Sequence, residues 1–219
     1  MNTPLQSVLV ANRGEIARRI FRTARSMGLR TVAVFADADT NAPFVADADE
    51  AVRLPGGYLD GDAVIAAALA TGSDAVHPGY GFLAENSGFA AAVEEAGLTW
   101  VGPSPSVIST MGDKLAAKEV ATAAGVPILP SSNDPTDDSP VNYPLLVKAT
   151  AGGGGKGMHL VEKPADLAEA VATARREAAT AFGDDRVFLE RYVGRSRHCL
   201  LYTSPSPRDQ RGSRMPSSA

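Results

Sequence analysis

SVLVANRGEIARRIFRTARSMGLRTVAVF, residues 7–35, decides the fold class, because it reads as strand, helix, strand. Ser7–Ala11 (SVLVA) is a short apolar run of the kind that forms a parallel strand buried on both faces. Glu15–Met27 follows with Ile16, Ile20 and Ala24 at helical spacing, and Gly28 stands where a helix C-cap belongs. Thr31–Phe35 (TVAVF) is the next strand. The alternation continues outward from there. Ala51–Leu54 is a shorter strand, Asp62–Ala70 an alanine-rich helix closed by Gly72, and Asp74–His77 a strand. Asn86–Ala96 is a helix ended by Gly97, and Thr99–Val101 a strand. Such alternation over about 100 residues predicts an α/β domain, an open parallel sheet with helices on both faces.

A second unit starts near Ser106. Asp113–Ala124 reads as a helix ending at Gly125, and Pro127 to Pro144 as a connection rich in proline and aspartate. Leu145–Ala149 is a strand. A glycine-rich run, Gly152–Gly157, leads into the strand Met158–Val161. Pro164 and Asp166 open a long helix reaching about Phe182, and Val187–Tyr192 is the last strand. Two strands clasping a glycine loop, with a helix behind them, differ from the first unit. The expected division is 1–112, 113–198 and a tail, 199–219.

Composition narrows the function. The chain has 219 residues, 44% hydrophobic and 21% charged, which is ordinary for a soluble globular protein. No run approaches the roughly 18 apolar residues of a membrane span, and MNTPLQSVLVANRGE lacks the basic start and long apolar run of a secretory signal. The single cysteine, Cys199, excludes an intramolecular disulfide and a multi-cysteine metal site. A formal net charge of −4 argues against nucleic acid as the main partner. The expectation is a cytoplasmic protein, bound to neither membrane nor nucleic acid, that handles a small molecule.

Ala151–Met158, AGGGGKGM, carries the chemistry. Successive glycines let backbone N–H groups approach an anion closely, since no Cβ stands in the way. Lys156 within the run and Lys148 on the preceding strand add positive charge for phosphates. The alternative is a flexible surface hairpin. The P-loop pattern fails at both ends, because Thr150 stands at its first glycine position and Gly157 follows Lys156. The dinucleotide fingerprint fails too, since the first strand is followed by Asn12-Arg13-Gly14-Glu15 with a single glycine.

These residues are specific enough to carry a resemblance. Tyr143–Gly157, YPLLVKATAGGGGKG, resembles the ATP-grasp signature of biotin carboxylases and carbamoyl-phosphate synthetases. VANRGEIA (10–17), HPGYGFLAEN (77–86), Gly102-Pro103 and Met111-Gly112-Asp113-Lys114 point to the biotin carboxylase branch. The resemblance runs from Ser7 to His198. It implies a Rossmann-like pre-ATP-grasp domain followed by a truncated ATP-grasp domain. The implied activity is ATP-dependent carboxylation of biotin on a carrier protein, through a carboxyphosphate made from ATP and bicarbonate. The implied cofactors are ATP with Mg2+ or Mn2+. The implied partners are a biotin carboxyl carrier protein or domain, a carboxyltransferase component, and a second copy in a homodimer. Acetyl-, propionyl-, methylcrotonyl-CoA and pyruvate carboxylases are all open, because other domains make that choice.

Residue by residue, the resemblance places Lys114 and Lys148 on the nucleotide phosphates. Gly153, Gly154, Gly155, Lys156 and Gly157 fall in the mobile loop over ATP. Glu190, Arg191, Tyr192 and Val193 fall on the interdomain strand that reads the adenine edge, and His198 lies near the ribose. Each has a plainer alternative: Lys114 a solvated residue at a helix start, Glu190 a surface carboxylate. An unpaired lysine is costly in the apolar strand around Lys148. His77 is expected to be a turn residue, and His159 a strand-face residue without chemistry.

Two features depart from the family. The connection from Ser131 to Tyr143 is short. The family's metal-binding carboxylates, and its bicarbonate- and biotin-binding residues, lie beyond the matching region, so neither catalytic nor metal residues are nominated and no turnover is expected of this chain. The run from Cys199, with five serines, three prolines and three arginines against one aspartate, is expected to be non-native read-through or a disordered tail. Two other readings remain: another ATP-grasp ligase such as a carbamoyl-phosphate synthetase, and a non-catalytic nucleotide-binding module.

Overall fold

The computed structural model describes residues 4–151 and 157–196. Two compact units divide between Ile128 and Leu129. The first holds a five-stranded parallel sheet in the order β3-β2-β1-β4-β5. Its strands are β1 (Ser7–Val10), β2 (Arg30–Phe35), β3 (Glu50–Arg53), β4 (Ala75–His77) and β5 (Thr99–Trp100). The helices are α1 (Gly14–Ser26), α2 (Pro43–Asp47), α3 (Gly61–Ala70), α4 (Ser87–Glu95), α5 (Pro105–Gly112) and α6 (Lys114–Ala123).

Strand alternation sorts the core into two layers. Val10 and Ala33 face Ala17 and Phe21 of α1 and Phe44 of α2. Leu9, Val32, Val34 and Val76 face the other way, onto Val64 and Ala68 of α3, Phe89 and Val93 of α4, and Trp100. Side-chain caps set the helix starts: Asp60 for α3, Asn86 for α4 and Asp113 for α6, whose Oδ1 accepts from Leu115 N and Ala116 N at 2.8 and 3.1 Å. Helices α2 and α5 leave little signal in the sequence, since each is short and begins at a proline, which also marks turns. Helix α6 packs on α5 in the first unit, so the contact boundary falls beyond the division after residue 112 read from the sequence.

Strand order reverses between β1 and β4, the place where open α/β sheets bind ligands. Here a side chain following β1 ties to the chain following β4. Asn12 is fully buried, and its Nδ2 donates to the carbonyls of Pro78 and Tyr80 at 2.8 and 2.9 Å. Gly79 has φ +67°, and a Cβ there would stand 2.7 Å from both Asn12 Nδ2 and Ile16 Cγ2. His77 Nδ1 accepts from Gly79 N at 3.0 Å, a turn role, and burial pushes its pKa down.

The second unit is a four-stranded antiparallel sheet in the order β6-β9-β7-β8. Its elements are β6 (Ser131–Ser132), β7 (Leu145–Ala149), β8 (Met158–Val161), α7 (Leu167–Phe182) and β9 (Val187–Arg191). Helix α7 covers one face, where Leu145, Val147, Val161, Val187 and Leu189 pack with Ala174. The short connection contributes Val141 to this core, and Tyr143 OH donates to Asp138 at 2.5 Å. Among the described residues, no helix is long and apolar enough to cross a membrane.

Candidate functional site

The face of the second sheet turned away from α7 holds the candidate site. Register places Met158, Lys148 and Phe188 side by side across β8, β7 and β9, and Leu160, Leu146 and Glu190 in the next row. Residues two apart on a strand share a face, so all six side chains lie on one surface. Met158 and Leu160 are exposed, whereas Phe188 and Glu190 are buried. The surface is an apolar platform with one cation and one carboxylate set into it.

Lys148 Nζ donates to Glu190 Oε2 at 2.7 Å and lies 5.7 Å from the centroid of the Phe188 ring. The two chains are diagonal neighbours across the β7–β9 ladder, within reach of long side chains. Glu190 is therefore a partnered buried carboxylate and not a surface one. Its place is legible only after the register is known.

Strand β9 ends in Arg191, and the chain then passes through Tyr192 and Val193. Arg191 N donates to Pro130 O at 3.0 Å and Tyr192 N to Pro144 O at 3.1 Å, which ties this segment to both ends of the connection. Val193 is exposed. Gly157 N donates to Glu177 Oε2 at 3.3 Å, and Gly157 O accepts from Ala149 N at 3.0 Å. At the other end of the glycine run, Thr150 N donates to Arg186 O at 3.0 Å. The Arg186 guanidinium grips Asp184 and holds its carboxyl below the usual range.

Lys114 is the first residue of α6, directly after the Asp113 cap, in the first unit. Gly153, Gly154, Gly155, Lys156 and His198 lie outside the described residues, as does Cys199. Among the described residues, no group of three or more His, Cys, Asp or Glu stands close enough to hold a metal ion. Glu177 escaped the sequence reading. It flanks the buried Ala174–Ala178 stripe of α7, but nothing in the sequence says which strand that flank meets.

Comparison with known proteins gives the following matches. Residues 4–108 match the family model described as biotin carboxylase, N-terminal domain. Residues 113–201 match carbamoyl-phosphate synthase L chain, ATP binding domain. The chain is 48% identical over 207 residues to the mitochondrial methylcrotonoyl-CoA carboxylase subunit alpha of Oryza sativa subsp. japonica, spanning 89% of this chain and 28% of that protein. It is 44% identical over 212 residues to the biotin carboxylase of Allochromatium vinosum, spanning 90% of this chain and 47% of that one. The biotin carboxylase–beta-gamma-ATP complex from Campylobacter jejuni superposes with a TM-score of 0.83 at 38% identity, over 87% of this chain and 46% of that one. The biotin carboxylase domain dimer of Hydrogenobacter thermophilus 2-oxoglutarate carboxylase, in complex with MgADP, ADP and bicarbonate, gives 0.83 at 40% identity, over 88% and 45%. The chain thus spans about half the length of the biotin carboxylases it matches.

Proposed function

Since the chain belongs to the biotin carboxylase family, carrying its N-terminal domain and an ATP-binding domain after it, we propose that it provides the nucleotide-binding part of an ATP-dependent biotin carboxylase. The observation that carries this reading is the Lys148–Glu190 pair set into an otherwise apolar sheet face. A purine needs a flat apolar surface and a triphosphate needs a fixed cation, and this face offers both.

In the whole enzyme, ATP and bicarbonate would form carboxyphosphate, which would deliver carbon dioxide to biotin on a carrier protein. The part of this chain is to bind and orient. Met158, Leu160 and Leu146 support the base, with the buried Phe188 packed beneath Lys148. Glu190 holds the Lys148 ammonium until phosphate oxygens compete for it, so the cation needs little reorganisation on binding. Backbone groups from Arg191 to Val193 line the adenine edge. In the second unit, the run Gly153–Gly157 with Lys156 serves the phosphates and His198 the ribose. The Mg2+ or Mn2+ that accompanies a triphosphate is given no ligand on this chain. The carrier and carboxyltransferase components, a homodimer and a cytoplasmic setting complete the proposal. The acyl-CoA or pyruvate substrate belongs to other parts of such an enzyme.

The test is ATP hydrolysis dependent on both bicarbonate and biotin, measured on the protein expressed from the complete native gene. Wild type should show it and Lys148→Met should lose at least tenfold in activity at low ATP. Hydrolysis indifferent to bicarbonate and biotin would sink the assignment.

A further inference from the structure

One carboxylate oxygen on α7 fastens the start of β8. Glu177 Oε2 accepts from Gly157 N at 3.3 Å and stands 3.0 Å from His159 Nε2. Gly157 also leaves little room for a side chain. At φ +65°, a Cβ on it would lie 3.1 Å from Ala149 Cβ and 3.6 Å from the carbonyl oxygen of Ala174. Ala149 N donates to the Gly157 carbonyl, and Ala149 directly follows Lys148, so the end of the glycine run is braced beside the candidate phosphate lysine. Lys148 in turn pairs in register with Met158, the residue between Gly157 and His159.

We propose that Glu177 is a positioning residue for nucleotide binding, holding Gly157 and His159 through one oxygen so that β8 begins in a fixed place against Lys148. The inference rests on the nucleotide reading of that sheet face. A carboxylate suits the task because it accepts two donors at once, and its hydrogen bonds are stronger than those of a neutral acceptor. His159, expected only to decorate a strand, becomes the second donor. Glu177 and His159 are 47% and 30% exposed, so their pairing adds little to stability. Its effect belongs in the geometry of the nucleotide face and not in the melting temperature.

The experiment compares wild type, Glu177→Ala and Glu177→Gln in the protein expressed from the complete native gene. It reads ATP KM and kcat for bicarbonate- and biotin-dependent hydrolysis, amide exchange at Gly157, and Tm. Glu177→Ala should raise the ATP KM about fivefold, the size of one partly screened hydrogen bond to a charged acceptor, with kcat and Tm nearly unchanged and faster Gly157 exchange. Glu177→Gln keeps an acceptor oxygen and should recover most of the KM. A wild-type KM and wild-type Gly157 protection in Glu177→Ala would overturn the inference alone. So would a fall in Tm matched by equal losses in both variants, which marks a purely structural role. A wild-type protein that neither binds nor hydrolyses ATP would remove the nucleotide reading, and this inference with it.

Discussion

Lys148→Met tests the site most directly, because it separates binding from folding when combined with a second change. In the wild type the Lys148 and Glu190 side chains are 24% and 10% exposed and 2.7 Å apart. Removing one partner of a fully buried pair costs about 3–5 kcal/mol, the upper bound for a pair as enclosed as this one. Lys148 is about a quarter exposed, so water enters the space its ammonium leaves and solvates part of the Glu190 carboxylate. The expected loss is therefore reduced to about 2–3 kcal/mol. Replacing both members, Lys148→Met with Glu190→Leu, removes both charges from a face already lined by Leu146, Leu160 and Met158. That double variant should return to within about 1.5 kcal/mol of wild type. Nucleotide affinity should not return with it, since the cation is gone, and should stay at least about tenfold weaker. The assay is urea unfolding followed by far-UV circular dichroism, with amide exchange on β7 and β9. The lone tryptophan, Trp100, lies in the first unit, so the exchange of β7 and β9 amides is the readout local to the pair. Two results would refute the reasoning. One is Lys148→Met within about 0.5 kcal/mol of wild type; the other is a double variant no more stable than the single.

Three further perturbations probe the packing within each unit. Asp39 is buried and accepts from Arg13 and from Tyr58 OH; the Arg13 hydrogen bond is the main reason its carboxyl is held below the usual range. Its stabilisation is therefore complete above the unfolded value of about 3.9 and lost as pH falls from there through the lowered folded value. Asp39→Asn should cost about 1–2 kcal/mol at neutral pH, discounted because Arg13 is half exposed, and should flatten that acid limb in pH-dependent urea unfolding. Gly79→Ala forces a methyl group against Asn12 and Ile16 at a positive φ, and should cost about 2–4 kcal/mol, read from Trp100 fluorescence during unfolding. Val141→Ala opens space in the second core and should cost about 1–3 kcal/mol. A neutral result there would mean that the short connection is not packed as described.

The sequence was most legible where one physical rule acts alone. Apolar runs and helical spacing placed β1, α1, β2 and α3 to within a residue or two, because burial on both sheet faces leaves no polar alternation to confuse the pattern. Helix ends at Gly28, Gly72, Gly97 and Gly125 agree with the positive φ found at each. The proline-started α2 and α5, and the two-residue β6, were less legible, because their formation depends on neighbours distant in sequence. At the site, Lys148 stood out as a cation in an apolar strand, whereas Glu177 and His159 did not.

What the sequence by itself determined is therefore the local chemistry: a parallel α/β unit, a lysine-bearing strand and a glycine run between two strands. These follow from the side-chain period and backbone freedom of consecutive residues. What only the tertiary structure decided is which residues meet. Lys148 reaches Glu190 across 42 positions of sequence, and Glu177 reaches Gly157 across 20. Likewise, Asn12 after β1 reaches the carbonyls of Pro78 and Tyr80 after β4, across 66 and 68 positions. Strand register and helix placement bring those atoms together, and both are set by burial of the whole core and not by any local run of residues.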